Sequence, residues 1–382
     1  MSSRFLFTPT HEAFRAKVRD FAQREIAPHS RRWDRRAELP RDALKLMGEA
    51  GLLGILGPLK LGGQALDYMS LGIAIEELAA ADISCSQIAW IQNTISHFFP
   101  GWGDDTLRAM YRGDAAIGLA TSEEDAGSDV SAMKTTAVLE GDEYVIDGTK
   151  IHVSLTPGAD VLAVSARMPG AGGKQPIGML LVPTDLPGVA VEPMDQMGAR
   201  AHSLGIVRLE KVRVPSTAVL GDENAGKALM YARYNVSRCL SPLAALGAAG
   251  EVLRQTMDFT RRKVVFGRAI AMNQSVSFPL VEHQTRIEAG RLLAYRALWM
   301  NDAGEDASTE AAMAKWFGIT SGIQAITDCL PLWGANGYLQ DFPLEQRLRD
   351  VMSLQFTGGP INIMKVLLVR RLLGNDFAGL RP

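Results

Sequence analysis

The 382-residue sequence predicts an α+β multi-domain protein in three parts: a helical N-terminal domain (1–118), a middle antiparallel β domain (119–222) and a C-terminal four-helix bundle (223–382). Three observations predict it. Apolar residues recur at helical spacing at the start of the chain, the period drops to two in the middle, and four long amphipathic segments with short connections close it.

In "TPTHEAFRAKVRDFAQREI" Thr8 is a candidate N-cap with Pro9 at the first helical position, and Phe14, Val18, Phe21 and Ala22 share one helix face. "LPRDALKLMGEAG" places Pro40 near a helix start and Gly51 at its stop, and "SLGIAIEELAAAD", "QIAWIQNTISHFF" and "DDTLRAMYRG" continue the series. The stretch "TTAVLEGDEYVIDGTKIHVSL" then alternates around Gly141-Asp142 and Asp147-Gly148, both read as hairpin-type turns. "ADVLAVSARM", "IGMLLVP", "VAVEPM" and "GIVRLEKVRVP" complete a small barrel or sandwich, with "MPGAGGKQP" (168–176) as a loop. After Gly226 come the long helical segments, the last of them interrupted at "FTGGPIN" by Gly358, Gly359 and Pro360.

A composition of 47% hydrophobic and 21% charged residues is that of a globular protein with a sizeable core. The net charge of −2 supplies no basic field for nucleic acid or an anionic membrane, and no uninterrupted apolar stretch is long enough to span one. Cys85, Cys239 and Cys329 are too few and too scattered for a disulfide framework, which points to a reducing, cytoplasmic setting. The six histidines show no metal-ligand spacing, so no metal site is expected.

Three stretches concentrate chemistry. "TSEEDAGSDV" (121–130) gathers hydroxyls, acids and a glycine where helices give way to strands, one way to cradle a pyrophosphate or a flavin edge. "RRKVVFGRAIAMNQSV" (261–276) joins two bundle helices through Phe266-Gly267. "LWGANGYLQDFPLEQRLRD" (332–350) carries Gly334, Gly337 and an Arg349-Asp350 pair. Taken singly they read as a polar turn, a loop with an anchoring aromatic, and a helix cap followed by a buried ion pair.

Taken in order, they resemble the acyl-CoA dehydrogenase superfamily. Ser122 to Asp129 matches its "T/S-E-x-x-A-G-S-D" block, Phe266, Gly267, Ile270 and Gln274 its "F-G-x-x-I-x-x-x-Q" block, and Gly334 to Tyr338 with Arg349-Asp350 its "G-G-x-G-Y…R-D" block. The resemblance implies an FAD enzyme acting on an acyl-CoA or acyl-carrier-protein thioester, usually as a homotetramer. Leu119, Thr121, Ser122, Gly127 and Ser128 would line the flavin and its pyrophosphate, with Ser154 and His152 beside the ring. Lys263, Phe266, Gln274, Gly334, Gly337 and Asn362 would serve the cofactor, several of them that of a partner subunit. Asn93, Asn235, Ser237, Arg238 and Thr357 would contact substrate.

Several positions depart from the family pattern. His152 stands where a Trp is common, Lys263 where an Arg is usual, and Pro331 and Pro360 replace polar residues. Counting from Arg349-Asp350, the family's catalytic glutamate falls on Gly358, and the alternative acid position, one residue before the conserved arginine, holds Ser237. The backbone N–H at 358 survives as a donor to the thioester carbonyl, an interaction worth on the order of 3 kcal/mol. Losing a positioned base forfeits roughly 10²–10⁴ in rate. Either the base has moved, with His97 and His152 as candidates and Asn93 and His202 behind them, or the substrate generates its own carbanion by losing a carboxylate or sulfinate. Oxygen chemistry at reduced flavin and a catalytically silent FAD-binding subunit complete the alternatives.

Overall fold

The computed structural model describes residues 7–169 and 175–377; most of the predicted 168–176 loop therefore lies outside the described residues. The chain begins with α1 (Pro9–Phe21), α2 (Ser30–Arg36) and α3 (Arg41–Glu49), followed by α4 (Tyr68–Ala81), α5 (Ile83–Phe98) and α6 (Asp104–Tyr111). Thr8 caps α1 as its sequence predicts, its hydroxyl accepting from the His11 N–H while His11 Nδ1 accepts from the Thr8 N–H. Asp67 and Asp82 do the same for α4 and α5, accepting from the N–H groups of Ser70 and Cys85 at 2.8 Å. Helices α4 and α5 are buried on almost every side because the bundle covers what α1 and α3 leave open.

Seven strands follow: β1 (Ile117–Ala120), β2 (Thr136–Glu140), β3 (Glu143–Ser154), β4 (Val161–Arg167), β5 (Ile177–Pro183), β6 (Val189–Met194) and β7 (Leu204–Pro215). The order is β1-β4-β2-β3-β7-β6, with β5 on β4. Pairing is antiparallel except that β1 runs parallel to β4 and β2 touches β4 through a single parallel bridge. Gly141-Asp142 is a two-residue hairpin turn between Glu140 and Glu143. Asp147-Gly148 is not a second turn but an irregularity inside β3. Glycine is required there by close approach, since a Cβ at Gly148 would lie 2.4 Å from Thr135 Oγ1.

The C-terminal region holds α7 (Gly226–Arg262), a two-stranded hairpin of β8 (Val264–Val265) and β9 (Arg268–Ala269), α8 (Gln274–Asp302), α9 (Ser308–Cys329), α10 (Leu344–Ser353) and α11 (Ile361–Leu372). Helix α9 packs against α7, α8 and α11, so the fourth member of the bundle is divided into α10 and α11 at Gly358-Gly359-Pro360. Gly358 and Gly359 have φ of +67° and +98°, a backbone path that side chains disfavour.

Helix α10 joins all three parts. Arg347 donates to the carbonyls of Ala79 and Ala81, and Gln346 donates to Ser30 Oγ. Arg349 and Asp350 do not form the buried pair that their adjacency suggests. Arg349 binds Asp34 of α2 at 2.7 Å, Glu345 and the Met197 carbonyl, whereas Asp350 accepts from the Ala199 N–H at 2.6 Å. Adjacent helix positions point about 100° apart, so each reaches a different neighbour. Among the described residues no helix is long and apolar enough to cross a membrane, and no group of His, Cys, Asp or Glu is placed to hold a metal.

Candidate active site

The site forms where α5, α7, α9 and β1 converge. Gln92 of α5 clasps β1, donating to the Ile117 carbonyl at 2.9 Å and accepting from its N–H at 3.2 Å. Half a turn away, Trp90 Nε1 donates to Ser237 Oγ of α7 at 3.0 Å. Ser237 in turn faces the break between α10 and α11: a Cβ built at Gly358 would lie 4.0 Å from Ser237 Cβ and 3.7 Å from Lys315 Nζ, with no backbone in the way. Neither His97 nor His152 comes within 4 Å of that point.

Lys315 was not singled out by sequence. It is fully buried on α9, where its ammonium donates to the Thr357 carbonyl and, at 2.6 Å, to the Gly359 carbonyl. The carbonyl of Thr357 and the N–H of Gly358 belong to one peptide unit, so a donor on the first polarises the second. Burial, aided by the nearby Arg238 charge, presses Lys315 down to about 7. A signal was present: Lys315 sits among Ala311, Ala312, Gly318, Ile319 and Gly322 on the buried stripe of its helix.

The β side presents hydroxyls. Ile151 donates its N–H to the Ser122 carbonyl at 2.9 Å, and a Cβ at Gly118 would fall 2.6 Å from the Ser154 carbonyl, which brings β1, the following loop and the end of β3 together. Among the described residues, the hydroxyls of Thr121, Ser122, Ser128 and Ser154 take no protein partner, and nothing lies within 4 Å of a Cβ built at Gly127. Unengaged hydroxyls around an open glycine fit a pyrophosphate and a flavin edge. The loop's acid plays another part: Glu123 is buried, bonds Lys150 Nζ at 2.7 Å and accepts from the N–H groups of Lys134 and Thr135. Burial pushes Lys150 down to about 8 despite that partner.

The remaining predicted residues fall into three sets. Phe266, wholly exposed at φ +51° in the β8–β9 turn, lies with Lys263, Gln274, Gly334 and Asn362 on the outside of the subunit. Gly337 is buried, where a Cβ would meet the Leu330 carbonyl at 2.2 Å. Among the residues expected to contact substrate, Arg238 donates to Asn235 Oδ1 at 3.2 Å, its Nε is buried without a partner, and Thr357 Oγ1 donates to the Ser353 carbonyl. Asn93 is committed to structure, donating to the carbonyls of Leu52 and Ala89 and accepting from the Leu56 N–H. His97 is exposed at the far end of α5 and bonds the Tyr68 hydroxyl at 2.8 Å, His152 is exposed at φ +53°, and buried His202 is pushed down to about 4.

Comparison with known proteins covers nearly the whole chain. Residues 8–118 match the N-terminal domain of acyl-CoA dehydrogenase, 118–212 its middle domain and 224–373 its C-terminal domain. An acyl-CoA dehydrogenase of Bacillus subtilis is 31% identical over 367 residues, 94% of this chain and 97% of that protein. The solved prolyl acyl carrier protein oxidase AnaB is similar with a TM-score of 0.88 at 28% identity, covering 98% of this chain and all of that one. A glutaryl-CoA dehydrogenase of Mycobacterium smegmatis in complex with FADH2 shares the fold with a TM-score of 0.92 at 24% identity, covering 100% and 98% of the two chains.

Proposed function

Because this chain belongs to the acyl-CoA dehydrogenase family and is an FAD oxidoreductase, we propose that it oxidises the acyl group of a CoA or carrier-protein thioester between its α and β carbons, using a proton acceptor other than the family's glutamate. The observation that carries this reading is the bare, lysine-clamped peptide at Gly358, facing Ser237, whose hydroxyl accepts from Trp90. When bound, FAD supplies the hydride acceptor.

The chain's own residues do the rest. The Gly358 N–H binds the thioester carbonyl and favours the enolate that forms when the α-proton leaves. Lys315 holds that peptide in place through its own Thr357 carbonyl and the carbonyl of Gly359. Arg238, desolvated and with Nε unpaired, adds positive potential behind the reacting carbons. The hydroxyls of Thr121, Ser122, Ser128 and Ser154 hold the cofactor, and Phe266, Gln274, Gly334 and Asn362 reach a neighbouring copy in a homotetramer. The proton acceptor is sought at His97 and His152, each resolved by one substitution. A second reading, in which the substrate provides its own carbanion by losing a carboxylate or sulfinate, is favoured by the same empty acid position.

The test is spectral. The purified tetramer is expected to carry about one FAD per chain, and a CoA or carrier-protein thioester is expected to perturb its visible bands on binding. Ser154→Ala is expected to shift those bands or slow their bleaching while leaving flavin content intact. A flavin spectrum indifferent to every thioester offered overturns the reading, and unchanged bands and kinetics in Ser154→Ala remove that residue from the ring.

A further inference from the structure

Arg233 is a buried cation that nothing above uses. It lies on α7 one helical turn before Ser237, so the two side chains share a face of that helix. Across from them, Thr94 lies one turn after Trp90 on α5. The pairing repeats: Ser237 meets Trp90, and Arg233 Nε donates to Thr94 Oγ1 at 3.0 Å. Arg233 keeps only 5% of its surface, yet among the described residues no carboxylate pairs with it and its two terminal nitrogens bond nothing.

A guanidinium taken out of water without a counter-ion is expensive, and breaking a buried pair costs much for the same reason. Its environment shows the expense, since burial presses Arg233 down to about 10, still charged at neutral pH. Hydrophobic residues of similar length would fill the place at lower cost. The forked donor geometry suits a carboxylate, which it binds through two parallel hydrogen bonds. Position decides which carboxylate. Ser237 touches the Gly358 site, and neighbours four apart on a helix are about 5–6 Å apart at Cβ. An anion held by Arg233 is therefore a few carbons from the thioester carbonyl.

We infer that Arg233, seated beside Thr94 one helical turn from Ser237, binds a terminal carboxylate on the acyl group, making the substrate a short-chain diacid half-thioester. This rests on the thioester reading and narrows it. The likeness to the solved glutaryl-CoA dehydrogenase carries the fold alone; the assignment stands on this chain's own arginine.

The experiment pairs thioesters of equal length with and without the charge: succinyl-CoA against butyryl-CoA, and glutaryl-CoA against pentanoyl-CoA, titrated into the FAD-loaded protein with the flavin spectrum as readout. The carboxylated member of at least one pair is expected to bind roughly 10- to 100-fold more tightly, the worth of one charge-assisted bidentate contact. Arg233→Met is expected to erase that ratio and Arg233→Lys to keep part of it, with flavin content and melting temperature reporting that each variant is folded. Wild-type preference for the uncharged member in both pairs, or a ratio unmoved by Arg233→Met, overturns the assignment while leaving the thioester reading intact. If no thioester of either kind perturbs the flavin, the thioester reading falls and this one with it.

Discussion

Gly358→Glu is expected to raise the rate at which a straight-chain acyl-CoA bleaches the flavin by about 100-fold, the lower range for a positioned general base. Space permits it, because the nearest atoms to the new Cβ are Lys315 Nζ at 3.7 Å and Ser237 Cβ at 4.0 Å. The backbone resists it: at φ +67° any residue with a Cβ gives up about 1–2 kcal/mol, so the variant melts at lower temperature. Lys315 keeps the new carboxylate ionised and ready to accept a proton. The measurement is single-turnover flavin reduction, with thioester affinity determined alongside. A variant that binds thioester as tightly as the parent and bleaches no faster shows that more than one residue separates this site from the glutamate enzymes. A parent that already bleaches rapidly shows that the base has moved, and Ala substitutions of His97 and His152 then locate it.

The second large effect belongs to Lys315→Met. Without the ammonium, the carbonyls of Thr357 and Gly359 lose their donor and the Gly358 N–H loses both alignment and polarisation. Reduction at saturating thioester is expected to fall by about 100-fold, comparable to removing an oxyanion-hole donor, with flavin content unchanged. Stability carries an independent signature. Lys315 releases its proton near 7 in the folded protein, whereas an unfolded lysine does so near 10.5. Between those values the unfolded chain binds more protons, so this residue makes stability rise with pH, by up to ~1.4 kcal/mol per unit. The difference between parent and Lys315→Met, followed by denaturant unfolding from pH 7 to 10, removes the parallel contribution of Lys150. A difference that is flat across that range shows that Lys315 stays charged in the fold.

Much of this architecture is legible because it depends on local rules. The cap at Thr8, the two-residue turn at Gly141-Asp142 and the interruption at Gly358-Gly359-Pro360 each follow from what a few adjacent residues permit. Asp147-Gly148 was misleading because the same dipeptide serves a tight turn and a close strand contact, and only Thr135, distant in sequence, distinguishes them. The open, hydroxyl-lined bend at Gly127 was legible through its cluster of Ser, Thr and Gly. Lys315 and Arg233 were not, since a lone Lys or Arg in an amphipathic helix looks like one on a wet surface until the neighbouring helices cover it. Both leave a trace in the buried stripe: Lys315 among small residues on α9, and Arg233 between Met230 and Val236 on α7.

The ties made by α10 have a consequence for how the molecule comes apart. A ten-residue helix grips α2 through Asp34, the end of α4 through two carbonyls and the approach to β7 through the Ala199 N–H. None of the three segments can loosen without stripping partners from buried charges in the others. Heat should therefore melt the helical head, the sheet and the bundle in one calorimetric transition rather than three, and Arg349→Ala should split that single peak before it lowers it.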